Sequence, residues 1–406
     1  MKSILVSAYG CEPLKGSEPG VGWNWVLQMA RHNKLHVITR ANNQEFIEKY
    51  LPSDVKENIN FYYYDTSRFI KRFKNKAKGL YFYYFFWQIG IVPLAKKIVR
   101  NNDIDYVMHL TFGSMWMPTF LPFLKVPFIW GPVGGGDCEP KSFLRLLAPK
   151  QRFIQSFRYV MNGTSLLNPF IFIPALKASA ILCRTENSAR VIPGCFRSKV
   201  KVILETAMEG DIFKYKKQER ADGKIRFISI GRLLPNKNIL SAVRALQYLP
   251  EELQYEYYII GSGSQKKAIV AEIEFQRLSD RVKIIDEMPR NRVLEELQMA
   301  DIFLFPSLRE GGSWALMEAM VIGLPVICLN WAGMSITTDD SCAIRLPVTN
   351  PEQMPKDMAE AIVKLVENPE LRRQMGENGR KRIQTVFNWE AKGQFMEELL
   401  AELDKR

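Results

Sequence analysis

At 406 residues the chain is long enough for two or three ordinary domains, and its 47% apolar and 24% charged content excludes a disordered or fibrous protein. Its six cysteines are scattered, with no Cys-x-x-Cys pair, which excludes a disulfide framework or a zinc ribbon and points to thiols of a reducing compartment. Of the net charge of +13, residues 1–205 carry 28 Lys/Arg against 13 Asp/Glu (+15) and residues 206–406 carry 28 against 30 (−2), so an anionic partner is expected for the first half.

Taken in chain order, the opening Met-Lys-Ser-Ile-Leu-Val-Ser reads as a first strand over 3–8, too brief for the apolar core of a signal peptide. It is followed by Gly16-Ser17-Glu18-Pro19-Gly20-Val21-Gly22 and a helix holding Trp23 and Trp25. That glycine loop is neither Gly-x-Gly-x-x-Gly nor a Walker loop, which weakens dinucleotide and NTPase readings. Its glycines let backbone approach a phosphate or sugar closely. Further apolar runs at 35–39, 104–110, 126–130 and 179–183 alternate with helical stretches, the pattern of a parallel sheet. His109 stands at the end of the third of these five runs, and Trp130-Gly131-Pro132-Val133-Gly134-Gly135-Gly136 leaves the fourth. Asp103-Ile104-Asp105 spells a metal-binding Asp-x-Asp, but it precedes a strand where a metal-bound diphosphate would need its outer end, so it reads as a turn.

Residues 206–222 are polar and strandless, an expected linker between domains 1–205 and 223–385. The second half repeats the alternation, with strands at 225–230, 255–260, 281–285, 301–305 and 325–329, and a helical tail over 386–406. Its densest chemistry is 305–326. Glu310 follows an apolar run, Gly311-Gly312-Ser313 opens a helix, and Glu318 lies inside that helix, seven residues separating the two glutamates. Free amides and the positive dipole end suit a phosphate, and a carboxylate on each side accepts hydroxyl groups. Acceptor, anion hole and acceptor match a sugar nucleotide: hexose, diphosphate, ribose.

This spacing resembles the Glu-x7-Glu motif of glycosyltransferase family 4, retaining enzymes of the GT-B fold. Gly-Arg-Leu-Leu-Pro-Asn-Lys (231–237), Ile-Ile-Gly-Ser-Gly (259–263) and Gly-Leu-Pro-Val (323–326) stand in that family's order, and the resemblance covers most of the chain, densest over 225–335. It implies an α/β GT-B architecture: two Rossmann-like parallel-sheet domains facing a central cleft, the final helix crossing back to the first. It also implies Arg232 and Lys237 on the donor diphosphate and Gly20, Gly263, Gly311, Gly312 and Ser313 in the donor site. Glu310 would hold the transferred sugar, Glu318 the ribose, and His109 the hexose from the other domain. Glu18, Gly134 and Gly135 fall on the acceptor side. No metal and no cofactor are expected beyond a UDP- or GDP-type donor. One departure is clear: after Ala332-Gly333 the family continues toward Pro-Glu, whereas this chain has Met334-Ser335-Ile336-Thr337.

The implied activity is transfer of a hexose to a glycan or lipid-linked saccharide in cell-surface polysaccharide biosynthesis, at a cytoplasmic site. Residues 68–100, with nine basic residues, no acids and an aromatic run, suit an anionic membrane surface, since 80–94 is too short and polar to span one. Two other classes compete: a nucleotide-sugar epimerase of the same fold, against which the motif order argues, and a non-catalytic basic protein for anionic glycan or membrane. Nucleic acid is not expected as a partner, because no RNA-binding motif appears.

Overall fold

The computed structural model describes residues 1–72 and 79–405. They form two compact units, one of residues 1–136, 160–205 and 389–406, the other of 137–159 and 206–388.

The first unit is built on seven parallel strands: β1 (Ser3–Ala8), β2 (Lys34–Arg40), β3 (Ile59–Tyr64), β4 (Tyr106–Thr111), β5 (Phe128–Val133), β6 (Ala178–Cys183) and β7 (Val200–Val202). Their order is β3-β2-β1-β4-β5-β6-β7. Every residue of β4 and β5 is buried, as central strands covered on both faces require. The helix Leu80–Asn101 buries Tyr84, Trp87, Ile91, Ala95 and Ile98, a stripe at helical spacing. Part of the aromatic run expected at a membrane is therefore core: Tyr83, Tyr84 and Trp87 join one cluster with Tyr9, Val107 and Trp130, whereas Tyr81 and Phe82 are exposed and Phe85 and Phe86 half-buried. Lys74, Lys76 and Lys78 lie outside the described residues. The helix Trp389–Asp404 belongs to this unit, where Asp404 accepts from Tyr106 at 2.8 Å and pairs with Lys2 at 3.0 Å.

The second unit has six parallel strands: β8 (Ile225–Ile230), β9 (Tyr255–Ile260), β10 (Val282–Ile285), β11 (Ile302–Phe305), β12 (Val326–Leu329) and β13 (Ala343–Leu346). They are ordered β10-β9-β8-β11-β12-β13. Two segments differ from the sequence reading. Residues 206–222 are strandless but not free: Lys217 N donates to Ile322 O at 2.9 Å, Gln218 N to Gln298 O at 2.8 Å, and Lys217 pairs with Asp301 at 2.7 Å. Residues 137–159 group with this unit, because Trp331 Nε1 donates to the Cys138 carbonyl at 3.0 Å and Arg145 pairs with Glu352. β3, β7 and β13 were not expected.

Candidate functional site

In each sheet the strand order reverses beside the first strand, between β1 and β4 and between β8 and β11. Ligands of open α/β sheets bind outside the carboxyl ends of the strands at such a point.

In the second unit this point is lined by the loops after β8, β9 and β11. Gly231 leaves β8 with φ +144° and Gly261 leaves β9 with φ +147°, and a Cβ on Gly261 would lie 2.0 Å from the Gly231 carbonyl oxygen. Gly263 (φ +155°) approaches Leu233 just as closely, so the two loops stack backbone on backbone. A short turn at Pro235–Lys237 then brings Lys237 Nζ onto Glu310 Oε1. Ser307 Oγ donates to the same oxygen at 2.8 Å, and both partners of the ion pair are largely shielded from solvent. Arg232 is exposed and makes no ion pair among the described residues.

Beyond Glu310, Gly311 and Gly312 lead to Ser313, which caps the helix Trp314–Ile322 by accepting from Leu316 N at 3.4 Å. Gly312 has no room for a side chain, since a Cβ would meet Thr206 Oγ1 at 1.7 Å. The amides that open this helix precede its own hydrogen-bond ladder, and of these the Leu316 amide is taken up by Ser313 Oγ. Glu318 is 6% exposed, and Arg290 Nε donates to its Oε1 at 2.7 Å. The structure thus brings Lys237, Glu310, Gly311, Gly312, Ser313 and Glu318 together and adds Arg290, which nothing in the sequence singles out. Where the chain departs from the family's Pro-Glu, the Gly333 amide donates to the Glu310 carbonyl at 2.9 Å and Ser335 Oγ turns back to Ala332 O.

Burial raises the Glu318 carboxyl above its ordinary range, and the bond and charge of Arg290 pull it part of the way back. A carboxyl raised on folding binds more protons in the folded state, so its stabilisation is present below the unfolded pKa and is lost as pH rises through the folded one. Glu318→Gln is therefore expected to raise the melting temperature at neutral pH by a few degrees, the gap closing below about pH 4. A gap independent of pH would contradict this.

In the first unit the helix begins earlier than the sequence suggested. It runs Ser17–Ala30, so Glu18, Gly20 and Gly22 lie in its first turns rather than in a loop. Gly22 is explained by packing, because a Cβ there would meet the Gly10 carbonyl at 1.9 Å, and Gly20 is buried. The Glu18 carboxylate accepts from the Gly113 amide and pairs with Arg184 at 3.2 Å, and Arg184 reaches Glu205 at 3.4 Å. Gly134 N donates to Gly113 O at 2.7 Å, and Gly134 leaves room for the Arg184 side chain, whose Cδ would lie 2.9 Å from a Cβ. Gly135 (φ +115°) accepts from Trp116 Nε1 at 3.0 Å. Arg184 is a residue the sequence reading missed, although it stands one position past β6, at the strand end where such sheets place function. His109 lies within β4 and is 2% exposed; burial pushes its pKa down to about 4. Its Nε2 donates to the Phe112 carbonyl at 3.0 Å, which leaves a neutral Nδ1 as a buried acceptor with no partner among the described residues.

Asp105 lies just before β4, at the end of that strand opposite the switch point. Its Oδ2 accepts from Ser3 N at 2.8 Å, which ties the entry of β4 to the start of its sheet neighbour β1.

The two parallel-sheet Rossmann-like domains have the GT-B fold. The chain superposes on the Anabaena protein HepE, solved in complex with UDP, with TM-score 0.62 and 13% identity over 99% of this chain and 100% of that one. Residues 211–382 match the family described as Glycosyl transferases group 1. Over 148 residues the chain is 33% identical to the amylovoran biosynthesis glycosyltransferase AmsK of Erwinia amylovora and 30% identical to the putative colanic acid biosynthesis glycosyltransferase WcaL of Escherichia coli K12. Each match takes in 35% of this chain, which spans about a third of the length of these curated relatives (36% of each).

Proposed function

We propose that the chain is a retaining glycosyltransferase that moves a hexose-type sugar from a UDP or GDP sugar to a glycan or lipid-linked saccharide in cell-surface polysaccharide biosynthesis, at the cytoplasmic face of the membrane. The observation that carries this reading is the pair of glutamates flanking the amino-terminal end of the helix Trp314–Ile322, each matched to a cation. A diphosphate between them meets Lys237, Arg232 and the first-turn amides, which offset its charge. Glu310 then accepts hydroxyls of the transferred sugar and Glu318 those of the ribose. Gly20 and Gly263 are assigned to the donor site with them, and Glu18, Gly134 and Gly135 to the acceptor side. His109 Nδ1, neutral near pH 7, is suited to accept a hexose hydroxyl rather than to carry charge. The family match over 211–382 and the relatives named for amylovoran and colanic acid biosynthesis support the assignment.

The chemistry this implies is same-face substitution. The acceptor oxygen bonds to the anomeric carbon as the bond from that carbon to the diphosphate breaks. The acceptor proton passes to a donor phosphate oxygen, and the protein acts by positioning and by stabilising the leaving charge. Thermal-shift measurements against a panel of UDP- and GDP-sugars test the reading. Stabilisation by one nucleotide class supports it, and none by either class would remove it. Transfer is also expected to survive EDTA, because Lys237, Arg232 and helix amides stand where a cation would act. Activity lost to EDTA and restored only by manganese or magnesium would contradict that assignment.

A further inference from the structure

The helix Pro149–Gly163 is turned inside out. Its inward side is polar: Gln155 Nε2 donates to Glu139 Oε1 at 3.1 Å, Tyr159 OH to the Glu139 carbonyl at 2.6 Å, and Asn162 Nδ2 to the Gly136 carbonyl at 2.9 Å. Its outward side is apolar. Phe153 is 73% exposed, Phe157 55% and Val160 62%, at i, i+4 and i+7 on one stripe, with Ile154 beside them. Four neighbouring apolar side chains left in water on a single helix mark a binding face.

Charge says what covers it. The helix itself, residues 149–163, contains no aspartate or glutamate and three cations, Lys150, Arg152 and Arg158, all exposed. An apolar stripe flanked by cations on a helix of low overall hydrophobicity suits the plane of an anionic bilayer, rings among the acyl chains and cations at the headgroups. Among the described residues no helix is long and apolar enough to cross a membrane. We propose that the helix Pro149–Gly163 is an interfacial anchor that docks the protein on an anionic lipid surface through Phe153, Phe157 and Val160. This places a membrane contact outside the aromatic segment 80–94, of whose rings Tyr83, Tyr84 and Trp87 serve the core. It deepens the proposed function, since a lipid-linked acceptor is presented at such a surface, but it rests on the helix alone.

The test is co-sedimentation of the full chain with phosphatidylglycerol–phosphatidylcholine vesicles and with phosphatidylcholine alone, beside the double variant Phe153→Ser, Phe157→Ser. The wild type is expected to bind the anionic vesicles, less so at high salt, and the variant to bind at least about tenfold more weakly. Melting temperature and the nucleotide-sugar thermal shift should be unchanged in the variant, since both rings stand mostly in solvent. Equal binding by variant and wild type, or no binding by the wild type, overturns the proposal. So does a wild type that self-associates through this face while the variant stays monomeric, which would make the occupant a second copy. Vesicle binding without any nucleotide shift would sink the transferase reading and leave the anchor standing.

Discussion

Glu310→Ala, and separately Lys237→Ala, is expected to slow sugar transfer by about 100-fold or more without unfolding the chain, since a lost charged contact to the transferred group or leaving diphosphate costs roughly 2–4 kcal/mol. The two residues hold each other, with Ser307 as a third partner, so each deletion frees the other side chain as well as removing a ligand contact. Both are largely shielded, which strengthens their charges relative to an exposed pair. The double variant should cost less than the product of the single ones, because the pair acts as a unit. Initial rates of the purified variants, with circular dichroism to establish folding, check this, and near wild-type rates in either single variant would refute the assignment.

Gly261→Ala is expected to be the most damaging single-methyl change near the site. The new Cβ would stand 2.0 Å from the Gly231 carbonyl, at a φ of +147° that side chains avoid. Backbone strain and overpacking each cost about 1–3 kcal/mol, so a loss of about 3 kcal/mol or more is expected in chemical denaturation of the second unit. Donor binding should fall with it, because the displaced loop carries Arg232 and leads into Lys237. Wild-type stability in the variant would mean that the two loops do not depend on their close approach.

How far the sequence exposed all this depends on where each residue falls. Central strands were legible because both faces are buried and the apolar run is unbroken, as in β4, β5, β11 and β12. β3 was not, because an edge strand half open to solvent reads Ile-Asn-Phe-Tyr-Tyr-Tyr with no clear alternation, and β7 and β13 are edge strands of three and four residues. The glutamate loop was legible because glycines and charges directly after an apolar strand have few other reasons to stand there. Arg290 was hidden, since only the tertiary fold brings it to Glu318, 28 residues further along the chain. The glycines at 20 and 22 were read as a ligand loop because glycine signals a turn and close packing alike. At Gly22 the Gly10 carbonyl shows packing to be the reason.

Calorimetric titration of UDP and of GDP into the wild type and into Lys237→Ala tests the diphosphate site most directly. One of the two nucleotides is expected to bind the wild type, and the variant to bind it at least about tenfold more weakly, a loss of about 1.4 kcal/mol. Equal affinity in both proteins, or no binding of either nucleotide to the wild type, would contradict a diphosphate site at the head of the helix Trp314–Ile322.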